Sequence, residues 1–361
     1  MISQFRWIPR SLVAFITVVI SFAVYALTLP PSITWSHWGG DGGDFITAAV
    51  TGHVPHPTGF PLYMILARMG VRLMGGDPAR TLNGLSAMMG ALTIGLMTLI
   101  CTMRTDCLWS GVAAGLSLAF APLFWSQALI AEVYSTVAFF VALALLLVEF
   151  DNHDTAWYMR GAGLALGLAV AVHPIALFAA IYFLSRASDH WLDFCICILI
   201  GSVFYAILPV ISFPWPQPWG DLSTLKGWWN YVSARLYRHY AFGLSLHHWP
   251  QRLLAWLVAS VRQITPLGGI LVILGSHCLF KLRRIELIGL WISVGVVGLF
   301  SMGYNTNDSL VYLVPGMSLV IVLFAHGIRF LRQWKIPPWV ALSVPILLIV
   351  ANWQALDLSG D

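Results

Sequence analysis

Apolar runs of the length needed to cross a lipid bilayer recur along almost the whole chain. A bilayer core takes about 20 residues of α-helix. Runs of that order occupy 11–29, 81–103, 108–126, 130–150, 190–212, 266–280, 285–302, 310–331 and 338–355. Inside lipid every backbone N–H and C=O must find a partner within the protein, which leaves helices or a closed barrel. Runs this long and this uniformly apolar read as helices, so the expected fold class is all-α, a polytopic transmembrane helical bundle. Charge content agrees. Only 9% of the 361 residues are charged, against about 25% in a soluble domain, too few to clothe a soluble surface of that size.

Short cytoplasmic loops carry the excess of Lys and Arg. Arg6 and Arg10 therefore put the N-terminus inside, and Arg104 and Arg160 follow inside after the second and fourth spans. Lys281, Arg283 and Arg284 belong there too, as do Arg329, Arg332 and Lys335. The two halves agree only if 160–185 crosses twice, as two short helices hinged at His173-Pro174. The expectation is about eleven spans, N-terminus in and C-terminus out, with Arg68, Arg72 and Arg80 left outside as exceptions. The outward segments are then 30–80, 122–132, 213–250 and 303–309. The run Ser11 to Leu29 is too long for a signal-peptide core, and Leu29-Pro30-Pro31 is a poor cleavage site, so an uncleaved first span is expected. No repeat is visible and no segment is long enough to fold as a soluble domain. Residues 1–361 read as a single membrane domain, with its polar chemistry in the outward loops 30–80 and 213–250.

Several classes are excluded. No block of Lys and Arg makes a nucleic-acid footprint. Cys101, Cys107, Cys195, Cys197 and Cys278 lie in or beside apolar runs without a C-x-x-C pair, and read as small core residues. P-loop, dinucleotide-fold, zincin and hydrolase-elbow motifs are all missing.

The outward loops hold the candidates for chemistry. In Trp38-Gly39-Gly40-Asp41-Gly42-Gly43-Asp44-Phe45 the glycines permit a close backbone approach to a ligand. If a helix starts near Asp41, both carboxylates reach one side of it. They can serve as a capping box, or Asp41 and Asp44 can be the catalytic pair, as general base or as ligands of a divalent cation that nothing in the sequence requires. His53 to Tyr63 makes a proline-rich turn between helices expected at 44–52 and 60–74. The second of these carries Arg68 and Arg72 and has the pattern of a helix lying in the interface. His53 and His56 can bind phosphate, shuttle a proton or simply brace the turn. Glu132, beside Tyr134 at the outward end of a span, is either a helix-start carboxylate or a functional group. His173 at the hinge has the same two readings. The loop 213–250 offers Arg235 and Arg238 at helical spacing for phosphate oxygens, among aromatics such as Tyr237 and Tyr240 that suit sugar rings or a membrane belt. Tyr304 to Asp308 forms an outward polar turn.

Taken together, Gly40-Asp41-Gly42-Gly43-Asp44 and His56-Pro57-Thr58-Gly59-Phe60-Pro61-Leu62-Tyr63 resemble the G-D-S-G-E … H-P-P-G-Y-P-L signature of one membrane family. It includes the metazoan O-mannosyltransferase of plexin-type domains (transmembrane protein 260) and bacterial relatives. Ala121-Pro122-Leu123-Phe124-Trp125, Ala131-Glu132-Val133-Tyr134 and Gly167-Leu168-Ala169 with His173-Pro174 are similar to later segments of that family, so the resemblance spans about 20–185. It implies a GT-C-type glycosyltransferase using a polyprenyl-phosphate sugar, with an acidic base in the first outward loop. Asp41 matches the family Asp, whereas Asp44 stands where the family has Glu and Gly42 where it has Ser.

The implied reaction moves a mannose-like sugar from a lipid-linked donor to a hydroxyl of an unspecified protein or glycan acceptor, at a bacterial inner membrane with the site facing the periplasm. The substrate-binding candidates are His53, His56, Glu132, Tyr134, His173, Arg235, Arg238 and Asp308. A polytopic transporter or flippase is the alternative; it calls for polar residues at mid-membrane on several helices. A scaffold that kept the fold without activity is the third.

Overall fold

The computed structural model describes residues 4–150, 156–212 and 217–361. The side chains of 4–8, including Arg6, and the start of the second outward loop at 213–216 lie outside that description. Among the described residues every regular element is helical. In chain order the α-helices are α1 (Gln4–Thr28), α2 (Gly42–Thr51), α3 (Pro61–Met74), α4 (Pro78–Thr105), α5 (Leu108–Ala119), α6 (Pro122–Leu129), α7 (Tyr134–Glu149), α8 (Trp157–Val172), α9 (Ala180–Leu184), α10 (Trp191–Gly201), α11 (Leu208–Ile211), α12 (Leu225–Val232), α13 (Trp249–Leu282), α14 (Arg284–Gly303), α15 (Val314–Leu331) and α16 (Ser343–Leu356).

The chain is a multi-pass membrane bundle, but its count of crossings departs from expectation. Seven helices among the described residues are long and apolar enough to span, or eight if α5 and α6, bent by 62° at Ala121-Pro122, form one broken span. About eleven is not confirmed. The difference lies in three short apolar helices, Tyr134–Glu149, Trp157–Val172 and Pro174–Leu184. The last two flank the expected hinge, where His173 is extended between α8 and a 3-10 turn. Proline has no N–H to give and disfavours helical geometry in the residue before it, so the helix ends there. A second departure is α13. It begins at Trp249 rather than 266, and it is kinked at Thr265 (φ 62°), just before Pro266.

Polar contacts define the two ends of the bundle. At the end where α1 starts, Arg10 pairs with Asp106 at 2.5 Å. Nearby, Arg104 pairs with Glu149 and Glu286, and Arg186 reaches both carboxylates at 3.2 Å. The Tyr182 hydroxyl donates to Glu286 at 2.9 Å. These groups come from α4, α7, α9 with the turn that follows it, and α14, so one ion cluster ties four helices together. At the opposite end the Leu358 N–H donates to the Thr28 carbonyl at 3.0 Å, and the Asp361 carboxylate accepts from the Thr34 and Ser36 hydroxyls. The end of α16 thus shares its face with the end of α1 and with the first outward loop.

Arg68, one of the arginines left outside by charge counting, has a structural task there. Its guanidinium donates to the carbonyls of Gly52, His53 and Ile211. Between the two ends, helices pack through small residues. A Cβ on Gly275 of α13 would lie 1.7 Å from the Leu323 carbonyl oxygen of α15, and one on Gly327 would lie 2.0 Å from that of Leu271. Such contacts let backbones meet where lipid supplies no hydrophobic drive. All five cysteines are free, but only Cys101 is fully buried, so the reading as core residues holds fully for that one.

Removing one partner of a buried ion pair leaves an uncompensated charge and costs about 3–5 kcal/mol. Glu286→Gln is therefore expected to lower the Tm of the detergent-solubilised protein by several degrees. An unchanged Tm would show that water already screens the cluster.

Candidate active site

The first outward loop builds the site on two glycines that no other residue could replace without movement. A Cβ on Gly39 would lie 2.7 Å from the Thr34 carbonyl oxygen, so the 3-10 turn before Asp41 folds tightly on itself. Gly59 has φ +88°, and a Cβ there would press on Tyr231 and Leu208 at 2.9 and 3.0 Å. The first sets the direction in which the chain enters α2. The second seats the His56–Phe60 turn against the second outward loop, where the Tyr231 hydroxyl also donates to the Pro55 carbonyl.

α2 starts at Gly42, yet neither carboxylate forms the capping box. Asp41 occupies the N-cap position without a side-chain capping hydrogen bond. Asp44 turns away to the loop. Its Oδ2 accepts from the His56 N–H at 2.6 Å and from His56 Nδ1 at 2.8 Å, and its Oδ1 accepts from Trp219 Nε1 at 3.0 Å. Donation from Nδ1 fixes the His56 ring and aims Nε2 at Asp41 Oδ2, 3.6 Å away. Phe45 and Phe60 pack on that ring at 5.5 and 5.0 Å. The two acids, three apart in sequence, thus divide the work: Asp44 orients the histidine, and Asp41 stands free in front of it.

A cavity of about 500 Å³ opens before Asp41. His56, Glu132, His173 and Asp308 line it, with a ring of tyrosines at 134, 237, 240, 304 and 312. Of the residues singled out in the sequence, Asp41, His56, Glu132, Tyr134, His173 and Asp308 therefore meet at one place. Asp44 sits behind His56. His53 contributes its carbonyl to Arg68 and does not reach the cavity wall. Arg235 and Arg238 are exposed, and Arg235 donates to the Asn230 side chain at 3.1 Å. His173 also braces its hinge, its Nδ1 accepting the Ile175 N–H at 3.0 Å. Tyr312, Thr58 and Trp219 were not singled out. Tyr312 lies within an apolar run, and nothing in the sequence places it across from His173, whose ring it approaches at 5.9 Å.

Electrostatics separates the two acids. Burial pushes Asp41 above the ordinary carboxylate range; the nearby His56 works against this, and Asp308 and Asp44 add to it. Burial also acts upward on Asp44, but the hydrogen bonds from His56 and Trp219 more than offset it and hold that carboxyl below the usual range. Tyr237, partly buried near both acids, is pushed up to about 12. A pinned anion and an acid of higher proton affinity, bridged by an imidazole, make a geometry suited to taking up a proton at Asp41. A divalent ion held between Asp41 and Asp44 fits less well, because both Asp44 oxygens already face N–H donors. Among the described residues no group of three or more His, Cys, Asp or Glu is arranged to hold a metal.

Residues 41–187 match the family model described as the protein O-mannosyl-transferase TMEM260 N-terminal domain. The mouse protein O-mannosyl-transferase TMEM260 is 26% identical over 311 residues, covering 80% of this chain and 43% of the mouse protein. The Dictyostelium discoideum tmem260 protein is 26% identical over 260 residues, covering 62% of this chain and 31% of its own length. This chain thus spans less than half of either relative. Among solved structures, ArnT from Cupriavidus metallidurans bound to undecaprenyl phosphate superposes with a TM-score of 0.62 at 13% identity, over 93% of this chain and 63% of that one. Its apo state gives a TM-score of 0.56 at 16% identity, over 92% and 62%. At such identities the likeness speaks for the fold, and the sequence matches speak for kinship. Residues 41–187 are thus similar to the N-terminal domain of the TMEM260 O-mannosyl-transferases, and the chain shares its fold with the ArnT structures.

Proposed function

We propose that this protein is a membrane glycosyltransferase that moves a sugar from a polyprenyl-phosphate-linked donor to an acceptor hydroxyl on the non-cytoplasmic face. The observation that carries this reading is the Asp41 carboxylate, placed in a cavity at the edge of the bundle beside a histidine that Asp44 orients. Asp41 accepts the proton of the acceptor hydroxyl. The acceptor oxygen bonds to the anomeric carbon as that carbon's bond to the phosphate oxygen breaks, and the lipid phosphate leaves with the electron pair. His56 steadies the ionised form of Asp41 before the proton arrives. The tyrosine ring offers hydroxyls and faces to a sugar. The names of the mouse and Dictyostelium relatives support a mannosyl group.

The donor's lipid phosphate has a second place to bind. Among the described residues no Lys or Arg lines the cavity. An apolar groove of about 550 Å³ runs between α13, α14 and α15. Near Trp256 and Leu310 it meets a polar recess lined by Arg252, Asn307 and Ser309. Arg252 donates to the Thr306 carbonyl at 3.3 Å and the Ser309 hydroxyl at 3.0 Å. Thr306 and Asp308 of the same turn line the cavity. We assign the prenyl chain to the groove and the phosphate to Arg252, in place of the Arg235 and Arg238 suggested by spacing. The undecaprenyl phosphate bound to the ArnT neighbour supports a carrier of this class. The short loops at the end opposite the cavity carry Arg104, Arg160, Arg283, Arg284, Arg329 and Arg332, which supports a cavity facing outward. A bacterial inner membrane, with the periplasm on that side, is the setting we propose. Transport, the alternative reading, needs ionisable or polar groups at mid-depth on several helices; here the described carboxylates lie at the two ends of the bundle.

The test is turnover of decaprenyl-phosphate mannose in proteoliposomes, read as released decaprenyl phosphate. Asp41→Asn is expected to lower turnover by about 10²–10⁴-fold, the usual contribution of a general base, with the protein still folded. Asp44→Asn is expected to cost less, about 10-fold or more, by freeing the His56 ring. Full turnover in both variants would remove the base from this loop. Because Asp41 must be ionised and its pKa is raised, turnover is expected to fall with decreasing pH already above the ordinary carboxylate range. His56→Gln removes the influence that lowers that pKa, so its acid limb should move to higher pH; a limb that stays put or moves down assigns it to another group. Arg252→Ala is expected to raise the donor KM by about tenfold, the scale of one charge-assisted hydrogen bond, and an unaltered KM would place the phosphate elsewhere.

A further inference from the structure

Buried carboxylates in this protein are treated in two ways. Glu149 and Glu286, at the end away from the cavity, are each paired with the guanidiniums of Arg104 and Arg186. Glu132 is buried as deeply, with 4% of its surface exposed, but none of the ion pairs among the described residues includes it. Its side chain accepts one hydrogen bond, from the N–H of the next residue, Val133, at 3.2 Å. Its backbone is held by Ser86, whose hydroxyl donates to the Glu132 carbonyl at 3.1 Å. Its carboxyl borders the cavity together with Asp41 and Asp308.

An ionised carboxylate buried without a cation costs several kcal/mol, which a proton removes. Two of the groups that face Glu132 make its ionisation harder, Asp41 from the first loop and Asp308 from the turn before α15; the neutral phenols of Tyr63 and Tyr134, from α3 and α7, are its other titratable neighbours. Burial, with Asp41 and Asp308 adding to it, pushes this carboxyl well above the usual range, and the Val133 bond only partly opposes them. The proton then makes Glu132 a hydrogen-bond donor, in a wall whose other two acids can only accept when ionised.

We propose that Glu132 donates a hydrogen bond from its carboxylic acid to a hydroxyl oxygen of the sugar ring, and so fixes that ring against Asp41. The inference rests on the glycosyl-donor reading and assigns one contact within it. A neutral donor is what the position requires. A Lys or Arg there would pair with Asp41 and remove the base, whereas an ionised acid would repel an ionised Asp41 and could only accept from the sugar. Ser86 fixes the backbone from α4, so the donor does not have to be ordered when the sugar arrives.

The test compares two lipids, decaprenyl-phosphate mannose and bare decaprenyl phosphate, titrated against the purified full chain by quenching of tryptophan fluorescence. The ratio of the two affinities isolates the sugar contacts from those of the carrier. The wild-type protein is expected to prefer the mannosyl lipid by about tenfold where Glu132 is protonated, and to lose that preference as rising pH ionises Glu132. Glu132→Ala should narrow the preference to about twofold at every pH, with binding of the bare lipid unchanged. Glu132→Gln keeps a neutral donor of the same shape, so its preference should exceed that of Glu132→Ala and stay level into the alkaline range. The inference is overturned if Glu132→Ala keeps the wild-type preference, or if Glu132→Gln loses as much as Glu132→Ala. A protein that binds neither lipid overturns the glycosyl-donor reading, and this contact with it.

Discussion

Asp44 joins parts of the chain that are far apart in sequence. One carboxylate holds the backbone and ring of His56 on one oxygen and the indole of Trp219, 175 residues away, on the other. The first outward loop, its proline-rich turn and the second outward loop meet there. Each contact is a charge-assisted hydrogen bond, the stronger kind, and together they hold Asp44 ionised. That anion fixes the imidazole, the imidazole sets the surroundings of Asp41, and the wall of the cavity is assembled around them. Without this link the two loops would still be joined by apolar packing, the Tyr231–Pro55 contact and the Val54 N–H donated to Gln217, none of which orients a titratable ring.

Much of this architecture is legible in the sequence, because lipid allows so few solutions. The apolar runs mark the helices, and the basic residues of the short loops mark the end away from the cavity, with Arg68, Arg72 and Arg80 as exceptions. His173-Pro174 announces the break between α8 and the turn that follows it. Less legible are features decided by contacts between distant segments. The i,i+3 spacing of Asp41 and Asp44 fits a capping box equally well, and only the positions of His56 and Trp219 show that Asp44 serves the loop instead. Spacing likewise drew attention to Arg235 and Arg238, which are exposed, whereas Arg252 is an inconspicuous residue near the start of a long helix whose kink at Thr265 is not evident from composition. Tyr312 reads as part of a span and becomes a wall residue only through the packing of α14 and α15.

The two ends of the bundle show opposite solutions to one problem. Charge within a membrane protein is expensive. At the end where the chain begins, the acids are neutralised by guanidiniums and their cluster ties helices together. At the outward end, Asp41, Glu132 and Asp308 border a cavity without such partners. That imbalance lowers stability locally and leaves proton affinities open to adjustment by whatever enters, which is the usual mark of a site that handles protons.

The apolar groove beside α13 bears on how the rate depends on concentration. Its walls include Leu253, Leu257, Trp291 and Leu299, residues 41–56% exposed on the bundle's outer surface. A ligand whose chain lies there reaches the protein by lateral diffusion in the plane of the bilayer. Its effective concentration is then a mole fraction of the surrounding lipid. Diluting the vesicles in buffer would leave donor saturation untouched, while adding inert phospholipid at constant protein would lower it.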